Sequence, residues 1–277
     1  MVNLFGKGFI GSRYAEMFYG GIVCNERNDY EVHEDDVLYF ISTIDNYNIH
    51  DKPFLDIETN LITLIKVLES FKKRNPSGTF NFISSWFVYG DVDTPYKEDS
   101  YCNPKGFYSI TKRTAEQMLI HYCQTFKLNY RILRLPNVLG ETDNKVSPRK
   151  NVIQYMIHQL MNNETVRLHQ GGYALRDYMY VDDICVAINT ILKRGQVNEI
   201  YNIASGEAVS IRECIEYAHK KLGSKSIIEE TNMENFKKVL PKSNKIIDNT
   251  KLLSLGYLPK YTIYDIIDRL LVKNPTI

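Results

Sequence analysis

The feature that most constrains this chain stands at its start. The apolar run Val2–Phe5 breaks at once into Gly6-Lys7-Gly8-Phe9-Ile10-Gly11, and a helical pattern follows to about Tyr19. A strand that ends in G-x-G-x-x-G and opens a helix is the fingerprint of a dinucleotide-binding βαβ unit. The first glycine permits a tight turn, the second lets the backbone approach a pyrophosphate, and the third lets helix and strand pack closely. The phosphates then rest on the helix N-terminus, where unpaired N–H groups and the helix dipole favour an anion. Gly6, Gly8, Phe9, Ile10 and Gly11 are therefore candidate cofactor contacts.

The rest of the chain fits a Rossmann-like α/β fold with a doubly wound parallel sheet. Ile22–Asn25, Val37–Ser42, Phe80–Ser84 and Tyr130–Leu135 read as further strands. Leu61, Leu64, Ile65, Leu68 and Phe71 form one stripe of a Leu55–Arg74 helix, which Asn75-Pro76-Ser77-Gly78 stops. Ser109–Phe126 reads as another helix. Strands alternating with helices build a parallel sheet.

After about Gly140 the elements shorten and mix. Helices are predicted over Val152–Met161, Val181–Lys193 and Ile211–Leu222 and from about Ile263, with short strands at Val166–Leu168 and Glu199–Asn202. This divides the chain into an NAD(P)-binding domain over residues 1–140, to which 171–195 returns, and a smaller, mainly substrate-binding region over 141–277.

One segment departs from the doubly wound pattern. Only about ten residues separate the second strand from Val37–Ser42, and a βαβ crossover takes about a dozen or more. A helix is missing there, with Tyr30–Val32 as a stub of strand and Asp29 and Tyr30 as adenine contacts. Glu26, 20 residues after Gly6, is the candidate acid for the ribose hydroxyls and favours NAD. Arg27 follows it and suits the 2′-phosphate of NADP. Ser42 and Thr43, at the end of the third strand, complete the cofactor set.

Composition narrows the partners. With 34 Lys+Arg against 33 Asp+Glu in 277 residues, the net charge of +1 argues against a nucleic-acid protein. No apolar run approaches the ~20 residues of a membrane span, and no targeting segment is expected. The five cysteines are scattered, without a CxxC, and read as reduced thiols of a cytoplasmic protein. The six histidines show no HxxxH pairing, so no metal site is expected.

Tyr-x-x-x-Lys occurs three times. Tyr101/Lys105 encloses Pro104, which blocks a helix, and Tyr217/Lys221 lies far into the C-terminal region. Tyr108/Lys112 opens a helix 23 residues after Ser85, at the end of a strand. On a helix these positions share a face. An ammonium beside the phenol favours phenolate, so Tyr108 can act as general base or acid near neutral pH, with Ser85 hydrogen-bonding the reacting oxygen.

These pieces, in order, are Gly6–Gly11, Asn60 in a helix, Ser84-Ser85-Trp86-Phe87-Val88-Tyr89-Gly90, Asn103-Pro104 before Tyr108–Lys112, and Leu133–Gly140. Arg176–Asp183 and Tyr201–Gly206 follow. Along almost the whole chain this series resembles the extended short-chain dehydrogenase/reductases that act on nucleotide sugars. The resemblance implies Ser85, Tyr108 and Lys112 as catalytic residues, with Asn60 and Ser84 beside the cofactor. It also implies Ser85, Trp86, Asn137 and Arg176 on a nucleotide-diphosphate sugar, the last two at the diphosphate. The Asp182-Asp183 pair is expected to cap the helix that follows.

Trp86 and Phe87 stand where the family's 4,6-dehydratases carry an acidic pair, which argues against elimination of water. Three readings follow: an NAD(P)-dependent epimerase that transiently oxidises the sugar 4-hydroxyl, an NAD(P)H-dependent 4-keto-6-deoxysugar reductase, and a non-catalytic NAD-binding regulator. A homodimer is expected, paired through the Leu55–Arg74 and Ser109–Phe126 helices with Ile62 and Ile120 in the contact.

Overall fold

Two-residue alternation along each apolar strand decides which side chains reach which face of the sheet. The computed structural model describes residues 1–44, 47–74, 77–143, 147, 150–231 and 244–272. Strands β1 (Val2–Phe5), β2 (Ile22–Cys24), β3 (Asp36–Tyr39), β4 (Thr79–Ser85), β5 (Asn129–Leu135) and β9 (Glu199–Asn202) form one sheet, in the order β2-β1-β3-β4-β5-β9. Every pair is parallel.

Leu4, Leu38, Ile83 and Leu133 pack on one face, against the Val181–Arg194 helix among others. Phe5, Val37, Tyr39, Phe80, Phe82 and Ile132 pack on the other, against the Thr63–Arg74 and Phe107–Phe126 helices. Strands buried on both faces read as near-continuous apolar runs, which is why they were legible.

The C-terminal part adds two small sheets. In one, β8 (Leu175–Tyr180) lies between β6 (Asn137–Leu139) and β10 (Ala208–Ser210); in the other, β7 (Val166–His169) pairs with β11 (Ile228–Thr231). Among the described residues this part has no separate core: Ile153, Ile157, Val166, Ile215 and Ile266 join the same apolar cluster as Leu4 and Leu133. The return to the main sheet, expected over 171–195, runs from Val181 to Asn202, because β8 belongs to a small sheet and β9 completes the large one.

Three local expectations are corrected. Tyr30–Val32 forms no strand; β2 is the sheet edge. Two buried asparagines take over from the missing helix. Asn25 donates to the carbonyls of Glu31 at 2.7 Å and Asp29 at 3.4 Å, while Asn3 donates to Asn25 Oδ1 and accepts from His33 N at 2.6 Å. Second, the Leu55–Arg74 helix is interrupted by a π-helical turn over Glu58–Ile62 that contains Asn60. Asn75 and Pro76 of its stop signal lie outside the described residues. Third, Asp182 and Asp183 do not cap their helix, whose N-cap is Tyr180. Asp182 pairs with Arg13 at 2.6 Å, and Asp183 accepts from the backbone N–H groups of Lys260 and Tyr261, both at 2.9 Å.

Candidate active site

A cavity of about 1680 Å³ runs along the C-terminal ends of β1, β3, β4 and β5 and continues between the sheet and the C-terminal part. Ligands in open α/β folds bind at this edge. The glycine loop forms one end. Gly6 takes φ +98°, and a Cβ on Gly11 would stand 2.1 Å from the Gly6 carbonyl oxygen, so both positions require glycine. A Cβ on Gly8 would meet nothing within 4 Å. The loop is thus closed toward the protein and open toward the cavity, above the Phe9–Met17 helix, which fits a dinucleotide pyrophosphate.

At the other end Ser85, Trp86, Tyr108 and Lys112 share the wall. The Phe107–Phe126 helix begins one residue before Tyr108, just after Gly106 at φ +87°. Lys112 is 2% exposed; its ammonium donates to the Ile83 carbonyl at 2.7 Å and lies 4.2 Å from the Phe82 ring centroid. Burial pulls its pKa down to about 7, against the raising effect of the Glu116 carboxylate. Ser85 Oγ accepts from Phe87 N at 3.3 Å, which turns Trp86 and Phe87 over the site as a stacked pair. Phe87 meets the Tyr108 ring edge-on at 6.0 Å.

Asn137 and Arg176 reach the same cavity from the C-terminal part. Asn137 Nδ2 donates to the Asp177 carbonyl at 2.9 Å, across the β6–β8 pair. Arg176 donates to the Leu175 carbonyl at 2.8 Å, and burial lowers its pKa. The neighbouring Asp177 carboxylate, pushed up to about 7 by burial, holds the backbone N–H groups of Ser205 and Gly206 at 3.0 and 3.2 Å.

Of the sequence-derived candidates, Glu26 and Asn60 stand off the cavity wall, while Gly6, Gly8, Phe9, Ile10, Gly11, Arg27, Ser42, Thr43 and Ser84 line it. Glu26 is 87% exposed and faces Lys7 at 4.0 Å. Asn60 is buried and acts at one remove: its amide donates to Thr43 Oγ1 at 2.8 Å and Thr111 Oγ1 at 3.0 Å, and its carbonyl accepts from Thr43 N at 2.9 Å. Asp29 and Tyr30 are also off the wall. The other Tyr-x-x-x-Lys pair on a helix, Tyr217/Lys221, binds Asp268 outside the cavity.

Sequence reasoning missed Lys150 and Asn151, which line the cavity and both hold the buried Asp143 carboxylate. Lys150 also stands 5.9 Å from the Phe9 ring centroid, close to the glycine loop. The one available signal was a polar Lys-Asn step before an apolar helix.

A glycine cradle and a Tyr–Lys helix on one cavity define the extended short-chain dehydrogenase/reductase class. The sequence profile of the NAD dependent epimerase/dehydratase family matches residues 29–204, and the chain belongs to that family. It is 26% identical over 306 residues to a low-salt glycan biosynthesis protein of Haloferax volcanii, covering 94% of this chain and 93% of that one. It is 27% identical over 186 residues to the dTDP-4-dehydro-6-deoxyglucose reductase of Escherichia coli, covering 66% and 57%. The solved UDP-glucose 4-epimerase of Thermotoga maritima, determined with UDP-glucose, superposes with a TM-score of 0.84 over 98% of this chain and 97% of that one, at 22% identity. Structures of the same fold hold NAD in a Thermus thermophilus protein and NADPH in a Pseudomonas aeruginosa protein, with TM-scores of 0.78 and 0.82.

Proposed function

We propose that this chain is an NAD(P)-dependent nucleotide-sugar 4-epimerase. The observation that carries the reading is the meeting of Ser85, Tyr108 and Lys112 with Asn137 and Arg176 on one cavity that begins at the glycine loop. An NAD(P) held by Gly6, Gly8, Gly11, Arg27, Ser42 and Thr43 would supply the hydride acceptor and donor. The protein supplies the rest. Tyr108 takes the proton of the 4-hydroxyl and later returns it. Ser85 Oγ–H donates to the same oxygen and fixes its direction. Lys112, charged, favours the phenolate. Asn137 and Arg176 grip the diphosphate, so the sugar can turn between the two hydride transfers while its anchor stays in place. Trp86 and Phe87 supply no acid for dehydration.

The relative in E. coli favours a second reading, a 4-keto-6-deoxysugar reductase in which Tyr108 acts as acid only. One experiment separates the two. Purified protein is examined for bound nicotinamide, then incubated with a panel of nucleotide sugars with and without NAD(P)H. Retained nicotinamide and epimerised product support the epimerase. Stoichiometric oxidation of NAD(P)H by a 4-keto sugar supports the reductase. Neither activity overturns both.

The chain's partners are read in the same way. Homodimer pairing through the two long helices is supported by the exposure of Ile62 and Ile110, whereas Ile120 is half-buried against the protein's own core. A monomeric mass at micromolar concentration contradicts it. The five cysteines are free thiols, three of them buried, which suits a reducing cytoplasm. Among the described residues no helix is long and apolar enough to cross a membrane.

A further inference from the structure

Beneath the reacting end of the cavity lies a buried ionic cluster that the chemistry above does not use. Glu116, fully buried, sits one turn after Lys112 and two turns after Tyr108 on the same helix. Its Oε1 accepts from Ser84 Oγ at 2.6 Å and from Arg134 Nε at 3.0 Å. Its Oε2 accepts from Arg134 Nη2 at 2.8 Å and Arg113 Nη1 at 2.7 Å. Arg134, 1% exposed, also donates to the Glu98 carbonyl at 3.1 Å and covers the Tyr89 ring at 4.7 Å.

The positions of these partners matter more than their number. Ser84 precedes Ser85 on β4, and Arg134 on β5 lies three residues before Asn137. One carboxylate therefore joins the strand that carries Ser85, the helix that carries Tyr108 and Lys112, and β5, the strand that precedes Asn137. A buried ion pair is seldom the most stable filling for a core, so its place at this junction calls for another role. Glu116 also bears on the lysine. Lys112 faces Tyr108 and Glu116 on its own helix, and the Phe82 ring and Ile83 carbonyl on β4; Arg113 and Arg134 are engaged by Glu116 itself. Burial opposes charge on Lys112, and the Glu116 carboxylate supports it.

We propose that Glu116 is a positioning residue for proton transfer, locking the Ser84–Ser85 strand end against the Tyr108–Lys112 helix and setting its negative charge one turn from the lysine. The inference rests on Ser85, Tyr108 and Lys112 being the reacting groups.

The test compares wild type with Glu116→Gln, Glu116→Asp and Ser84→Ala, each checked for folding by its melting temperature. In Glu116→Gln kcat falls about tenfold or more, and in Ser84→Ala about three- to tenfold, with KM within about twofold in both. Glu116→Asp, which keeps the charge, recovers part of the loss. A second readout needs no sugar: NADH is added, and energy transfer from Trp86, the single tryptophan and a residue of the cavity wall, is followed against pH. The transition that Lys112 governs moves to lower pH in Glu116→Gln and stays in place in Glu116→Asp and Ser84→Ala. Wild type inert toward every nucleotide sugar sinks the functional reading and leaves the NADH titration to decide this one. A folded Glu116→Gln with wild-type kcat and an unmoved transition overturns the inference. Should Glu116→Gln fail to fold, Ser84→Ala with wild-type kcat overturns it, and a three- to tenfold loss there supports it.

Discussion

The two ends of the cofactor groove are built on opposite plans. At the reacting end the lysine is buried, its neighbour Glu116 is satisfied on both oxygens, and Ser84 is tied to the same carboxylate. At the glycine-loop end, proposed to hold the adenosine, Lys7 and Glu26 make a loose contact in solvent, and a turn held by Asn3 and Asn25 replaces a helix. Exposed ion pairs contribute little and are screened by salt. The difference teaches that the proposed reacting groups are held by buried geometry, while the residues proposed to choose between NAD and NADP are ones that water can reach. Substitutions should divide accordingly.

The sharpest break falls at the reacting end. Tyr108→Phe removes the phenol proposed to move the proton, and turnover should drop about 10²- to 10⁴-fold while the cofactor still binds. Steady-state rates and a cofactor titration check both halves.

Lys112→Met tests the cost of buried charge. The lysine's folded pKa is about 7 against an ordinary value of 10.5. Between those values the unfolded chain holds a proton that the folded chain has released, so this group's contribution to stability rises with pH across that window. Below about pH 7 the full cost of burying the ammonium is present. Lys112→Met should therefore abolish turnover yet raise the melting temperature by a few degrees at pH 6, with the gain shrinking toward pH 10. Melting curves at the two pH values check the sign.

The adenosine end should respond weakly. Arg27 lines the cavity and Glu26 does not, so the two residues proposed to set the choice of cofactor can be separated by substitution. Arg27→Ala should weaken NADP(H) about three- to tenfold and leave NAD(H) within about twofold, whereas Glu26→Ala changes either by less than about threefold. Dissociation constants for both cofactors decide between them. The smallest effect belongs to Tyr217→Phe, at the chance motif bound to Asp268, where kcat should stay within about twofold of wild type.

The same contrast explains what could be read from the sequence. The glycine loop, the large-sheet strands and the Tyr108 helix follow local rules, namely unbroken apolar runs, helical stripes and residues four apart. Asp183 was misread because its partners, Lys260 and Tyr261, lie 77 and 78 residues away, and only the fold brings them to it. The strand Leu175–Tyr180 was overlooked because two charged residues, Arg176 and Asp177, break its apolar pattern. Arg134 was hidden in the opposite way, as a single charge inside the apolar strand Asn129–Leu135. Its partner, Glu116, gave a signal in its four-residue spacing from Lys112, but nothing local marks it as buried. The π-helical turn at Asn60 leaves no trace in apolar spacing.

The central claim is that hydride leaves the sugar's C4 and returns to it without exchanging with water, under proton control by Tyr108. It is tested most directly by running the epimerisation in D₂O and weighing the product. The account predicts product with no deuterium on carbon, formed by wild type and lost in Tyr108→Phe. Deuterium incorporated at a ring carbon, or equal turnover in the two proteins, would contradict it.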